Sequence, residues 1–252
     1  DLNVAAGHTA VVYASFLLKL TDLTAVPTSA ANNPFAAFID DPTPSPNNIA
    51  RLGGRIVTKK VGSGYVLGTS KSATTTDFIY EPDGAAHNVN DVLFIVMSYQ
   101  RVVATQTTNV FLYINPPGSS FGSNQPPAPT LIATAGNTAL NNAARGFALL
   151  CAFANAPSAV IHDFRLTTND WAAVTGGPAV YAAPTNLTLN AGSNASFRVR
   201  AFGGAPLSYQ WLKNGNPLSD GGNIFGPTTP TVTISNVFAA DATSYSVVVS
   251  NN

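Results

Sequence analysis

The chain has 252 residues with 12 basic and 12 acidic side chains, so its formal net charge is zero and only 10% of it is charged. Its basic residues form no run longer than Lys59-Lys60, which leaves no electropositive stripe for nucleic acid or an anionic membrane surface. Glu81 is the single glutamate, turn-forming residues abound, and no apolar run approaches the ~20 residues of a membrane helix, so the composition points to all-β structure without membrane insertion.

In chain order, DLNVAAG comes first, with Leu2, Val4 and Ala6 alternating as on one face of a strand. The opening on Asp1 reads as a processed or excised piece. VVYASFLLKL at 11–20 is apolar at nearly every position, as in a strand covered on both faces. A short strand over Phe35–Asp41 ends in the loop DPTPSP, where proline removes backbone donors. RLGGRIVTKK, GYVLGTSK and TTDFIYEP follow as three short strands with turns between them. The strongest core strands are DVLFIVMSYQ at 91–100 and NVFLYINPP at 109–117. A long loop spans 118–130, and a single helical turn is expected over Asn137–Arg145. RGFALLCAFAN and SAVIHDFRLTTNDW complete this part. Cys151, the one cysteine, sits in an apolar run and reads as a buried inert thiol, with no intrachain disulfide available to it.

After the Gly/Pro-containing VTGGPAVYAAP the pattern changes. Phe197, Val199 and Ala201 alternate, as do Tyr209 and Trp211, so the indole is expected between two sheets. Lys213-Asn214-Gly215-Asn216 suits a turn with positive φ. Val232 and Ile234 alternate with threonines, and Asp241 and Tyr245 stand in D-x-x-x-Y spacing before alternating valines. This set resembles an immunoglobulin-like sandwich with its tyrosine corner, in which Trp211, Asp241 and Tyr245 are the structural residues. The family's paired cysteines fall near Val199 and Val247, so the likeness is to the cysteine-free domains found in tandem in large secreted bacterial proteins. The sequence stops at Asn252, directly after the strand bearing Tyr245, and the last strand of that sandwich is therefore expected to be missing.

The earlier strands, VVYASFLLKL, the pair FIVMSY and VFLYINP, and the closing AVIHDFRL with Trp171, resemble a concanavalin A-like (laminin-G-like) jelly roll over about residues 10–174. The expected layout is a jelly-roll β-sandwich over 1–174, a linker over 175–183 and an incomplete immunoglobulin-like domain over 184–252. It is similar to large surface proteins of verrucomicrobial-type bacteria, which implies an extracellular or cell-surface location.

Chemistry is sparse. Hydrolases with this jelly roll carry alternating carboxylates on one strand, whereas Asp40 and Asp41 are adjacent and point to opposite faces. The loop EPDGAAHNVND at 81–91 reads as a solvated turn, with Glu81, Asp83 and Asp91 as the residues that would hold calcium if it binds. His8, His87 and His162 have no metal-ligand spacing, and neighbouring His162-Asp163 face opposite sides of a strand. Gly62-Ser63-Gly64 is a hairpin turn and not a phosphate cradle. Trp171, Tyr65, Tyr80 and Phe121 are the aromatic candidates for stacking on a glycan. The expected protein is a non-enzymatic structural or adhesive one with no cofactor. Its expected partners are neighbouring domains or a second copy, joined head to tail by a donated strand carrying Leu2, Val4 and Ala6. A carbohydrate-binding module is the alternative.

Overall fold

A computed structural model describes residues 10–39, 52–71, 77–102, 107–134, 146–149, 155–168, 170–204 and 206–251. Leu2, Val4, Ala6, His8, Asp40, Asp41, Cys151 and the expected turn over Asn137–Arg145 lie outside the described residues. The chain divides into two compact units, Asp1–Pro117 with Asn124–Val174, and Gly118–Ser123 with Thr175–Asn252. Both are built from strands, and among the described residues no helix is long and apolar enough to cross a membrane.

Among the described residues the first unit contains ten strands: β1 (Ala10–Asp22), β2 (Ala36–Ile39), β3 (Leu52–Val61), β4 (Gly64–Ser70), β5 (Ile79–Tyr80), β6 (Val92–Val102), β7 (Thr107–Ile114), β8 (Leu131–Ala133), β9 (Gly146–Leu149) and β10 (Ser158–Thr168). They form two five-stranded antiparallel sheets, ordered β10-β1-β6-β7-β8 and β5-β4-β3-β2-β9. Alternate apolar residues of both sheets meet in one core. Phe16 and Leu18 of β1, Ile95 of β6 and Leu112 of β7 pack with Phe38, Ile56 and Leu67 of the opposite sheet. Two sheets closed over a shared apolar layer constitute a β-sandwich.

β1 is apolar from Ala10 to Leu18 except for Ser15, because both faces of that part are covered. Its outer residues Tyr13, Ser15 and Leu17 are buried along with the core-facing ones. The cover includes a short helix, Trp171–Thr175. Trp171 packs edge-on against Tyr113 at 4.8 Å and Tyr13 at 5.8 Å, and the Ser15 hydroxyl donates to the Val174 carbonyl at 2.7 Å. Burial raises the Tyr13 hydroxyl pKa and pushes that of Tyr113 up to about 12.

Two irregularities bend the sheets. Gly54 has φ +64°, at a bulge where Phe38 of β2 pairs with Gly53 while Ala37 pairs with Arg55. A Cβ there would sit 3.0 Å from Met97 Cε, so both the φ and the space select glycine. On β10 the register shifts between His162, opposite Leu17, and Arg165, opposite Ser15. Asp163 takes φ +51° in this bulge and accepts from the Arg165 guanidinium at 2.8 Å.

The second unit contains β11 (Ala179–Ala182), β12 (Ala195–Arg198), β13 (Arg200–Phe202), β14 (Leu207–Lys213), β15 (Asn216–Pro217), β16 (Ile224–Phe225), β17 (Thr231–Ile234) and β18 (Tyr245–Asn251). β12-β17-β16 form one sheet, β15-β14-β18 another, and β11 pairs with β13. Residues 175–183, read from the sequence as a linker, thus contain a paired strand, and Ala179 is buried. The alternating stretch of Phe197, Val199 and Ala201, read as one strand, divides at Val199, whose amide donates instead to the Pro230 carbonyl at 2.9 Å. Asn214 and Gly215 have φ of +52° and +80°, the pair of left-handed residues that a tight two-residue hairpin needs between β14 and β15.

Candidate functional site

Trp211 is fully buried and forms the centre of the second unit with Val199 and Val232. Its indole N–H donates to the Thr229 carbonyl at 2.9 Å, so burial leaves no unmade bond. Val247 lies directly opposite Trp211 in the β14–β18 ladder and packs on the same cluster. At the entry to β18 the Tyr245 hydroxyl donates to the Asp241 carbonyl at 3.1 Å. The Asp241 carboxylate accepts from Lys213 Nζ at 2.8 Å and from the Phe238 amide at 3.0 Å. The Lys213 bond, followed by the Phe238 amide, holds the Asp241 carboxyl below the usual carboxylate range. The same pairing raises Lys213. The Tyr245 ring stacks on Phe197 at 5.2 Å.

Beside this corner is a cavity of about 620 Å³. Its borders are residues 184–191 and 237–245, and Ala195, Phe197 and Ile234 also line it. Leu187, Leu189 and Phe238, at its border, are 42%, 44% and 58% exposed. Among the described residues Asp241 is the one charged side chain in the lining, and Lys213 already pairs with it. β18 ends its sheet: β14 is its one strand partner among the described residues. Leu187 and Leu189 were not singled out from the sequence, although N-L-T-L-N alternates as a half-buried strand does.

In the first unit the acidic loop residues have separate partners. Glu81 is buried, and its carboxylate accepts the Leu67 amide at 3.0 Å and meets His87 Nε2 at 3.0 Å. Asp83 pairs with Lys59 at 2.7 Å. Asp91 accepts from the Asn88 amide at 2.8 Å and closes its own turn. Among the described residues no group of three His, Cys, Asp or Glu side chains gathers to hold a metal ion. The loop is anchored to β4 by paired backbone bonds between Tyr65 and His87. Glu81, at its start, is built in and supplies the acceptor that the buried Leu67 amide needs, while 82–86, Asn88, Asn90 and Asp91 are exposed as in a solvated turn.

Burial corrects two of the four aromatic glycan candidates. Trp171 is 2% exposed under its two tyrosines and Tyr65 is wholly buried, so neither offers a free ring face. Tyr80 is half-buried with Lys59 Nζ 5.3 Å from its ring centroid, and Phe121 packs on Phe202 at 5.7 Å.

An immunoglobulin-domain family model matches residues 178–251. Among curated proteins nothing matches the chain. Among solved structures, the I-band fragment I67–I69 of titin is 28% identical, with a TM-score of 0.28 over 30% of this chain. The chain spans 28% of that fragment's length. The I9–I11 tandem of titin is 10% identical over 94% of this chain and 88% of its own, with a TM-score of 0.27. The family match begins at Pro178, just before β11, and encloses the Trp211 core and the Tyr245 corner. The second unit is an immunoglobulin-like β-sandwich.

Proposed function

We propose that the chain is a non-catalytic structural or adhesive component of a bacterial surface. In this reading the first unit is a concanavalin A-like jelly roll and the second works in series with other domains or copies. One observation carries the proposal: β18 has β14 as its one strand partner among the described residues, and a mainly apolar cavity lies at its Tyr245 end, features suited to association. The acidic side chains described above serve structural ends, pairing with Lys59, His87, Lys213 or backbone amides. In its sharper form the protein is a fibre subunit, and a strand from a neighbouring molecule completes its immunoglobulin-like sandwich.

Negative-stain electron microscopy of the native material tests this reading. Filaments or continuous arrays are expected. Dispersed particles retained on polysaccharide, with retention abolished by chelator, would instead make the protein a lectin using calcium. Release of sugar product that is lost on substituting one Asp or Glu would make it a hydrolase.

A further inference from the structure

The edge strands of the first unit differ greatly in length. Among the described residues β5, β8 and β9 are two, three and four residues long, whereas β10 runs for eleven. A long edge strand is a template on which another chain can pair, and short edges are themselves protected. β10 has β1 as its one strand partner among the described residues. Its side chains are those of an open edge. Phe164 and Leu166 are 43% and 37% exposed, while Ala14, opposite Leu166 on β1, and the nearby Phe16 are wholly buried.

The bulge stands near the middle of this strand. Leu17 pairs with His162 and Ser15 with Arg165, so Asp163 and Phe164 together oppose the single residue Phe16. The core does not need the extra residue. Without Asp163, the residues Ala159, Ile161, Phe164 and Leu166 would follow at strict alternation opposite Leu20, Leu18, Phe16 and Ala14. Those four positions of β1 all belong to the core, so a regular β10 would bury the same face. What Asp163 changes is the edge. At φ +51° it is left out of the ladder and bends the strand. A straight incoming strand can then keep register with 158–162 or with 165–168, but not with both. The Arg165 guanidinium, donating to the Asp163 carboxylate at 2.8 Å, ties the bulge across.

We infer that the bulge at Asp163 is an edge guard, which keeps β10 from pairing with β10 of a second copy. A second copy is the partner excluded because one strand offered by two molecules is self-complementary about a two-fold axis, and the antiparallel pair would join their sheets. The guard belongs to the first unit and does not depend on the assembly reading above.

The test deletes Asp163 from the full chain and sets beside it Asp163→Gly, which keeps the positive φ and the bulge while removing the charge. In sedimentation velocity the deletion variant should associate at a concentration about tenfold or more below that of the parent, because cross-strand pairs along the whole of β10 become available. Asp163→Gly should behave as the parent does. Adding Leu166→Lys to the deletion should restore the parent's behaviour, since an inward-pointing charge blocks the edge again. Urea unfolding checks that each variant is folded. Deletion without added association, or Asp163→Gly associating as strongly as the deletion, would overturn the inference. Hydrogen exchange on the parent decides the matter if the deletion variant does not fold. The β10 amides facing away from β1 should exchange as at an open edge at low and high protein concentration alike. Protection of those amides at high concentration would show the edge pairing despite its bulge, and the inference would be wrong.

Discussion

Tyr245→Phe isolates one hydrogen bond of the immunoglobulin-like unit. The substitution keeps the ring on Phe197 and removes the hydroxyl that reaches the Asp241 carbonyl at 3.1 Å. A bond of this kind contributes about 1 kcal/mol net, and its loss from a domain of this size should lower Tm by roughly 4–8 °C. Tyr245→Ala also removes the stacked ring. The side chain is half-buried, so the cost should be about 2–3 kcal/mol, below the ~3–5 kcal/mol of a fully buried ring. The two tryptophans make the assay specific, since Trp171 lies in the first unit and Trp211 in the second. In a Trp171→Phe background, urea unfolding followed by fluorescence reports the second unit alone. A Tyr245→Phe variant as stable as its parent would refute a contributing corner bond. If Tyr245→Phe proved as damaging as Tyr245→Ala, the ring packing described here would not be what holds β18.

Other substitutions probe the rest of the account. Asp241→Asn should destabilise the second unit by up to about 1 kcal/mol at neutral pH, because the pair is partly solvated. The Asp241 pKa is depressed, so its contribution is present above the unfolded carboxylate value of about 3.9 and is lost as pH falls through the folded value. Lys213 is raised, so its share is present below the unfolded lysine value of about 10.4 and is lost as pH rises through the folded value. The stability gap between wild type and Asp241→Asn should therefore be flat across neutral pH and close in acid; a gap that persists at a pH of about 2, well below the unfolded carboxylate value, would contradict the assignment. Gly54→Ala should cost the first unit about 1–3 kcal/mol through its positive φ and the contact with Met97, measured by thermal unfolding. Trp171→Ala should destabilise the first unit by about 3–5 kcal/mol. A soluble, fully stable variant that loses only glycan retention would restore the stacking role.

The strands that the sequence displayed most clearly were those buried on one or both faces. VVYASFLLKL and DVLFIVMSYQ have apolar runs that match β1 and β6, and Asn214-Gly215 supplied the two positive φ values of the β14–β15 hairpin. What escaped reading depends on partners distant in sequence. The indole of Trp171 falls at the end of a polar stretch, and only the outer faces of Tyr13 and Tyr113 make that position buried. The glycines and prolines of 174–184 read as a connection because β11 is only four residues long and is defined by pairing with β13. Alternation runs unbroken through Val199, so nothing local marked the division of β12 from β13. At the candidate site, D-x-x-x-Y pointed to the Asp241–Tyr245 corner, but the groove is assembled from segments some 50 residues apart, and Leu187 and Leu189 alone do not announce it. The acidic loop shows the opposite problem. Its composition suggests one oxygen-rich site, while the folded chain sends Glu81, Asp83 and Asp91 to three different partners.

Amide hydrogen exchange over residues 245–251 tests the proposed assembly most directly, because among the described residues the edge of β18 away from β14 has no strand partner. In assembled native material the amides facing away from β14 should be protected, and in dispersed single chains they should exchange at the rate of an open edge. Equal exchange of β18 in both states would contradict the proposed assembly through this edge.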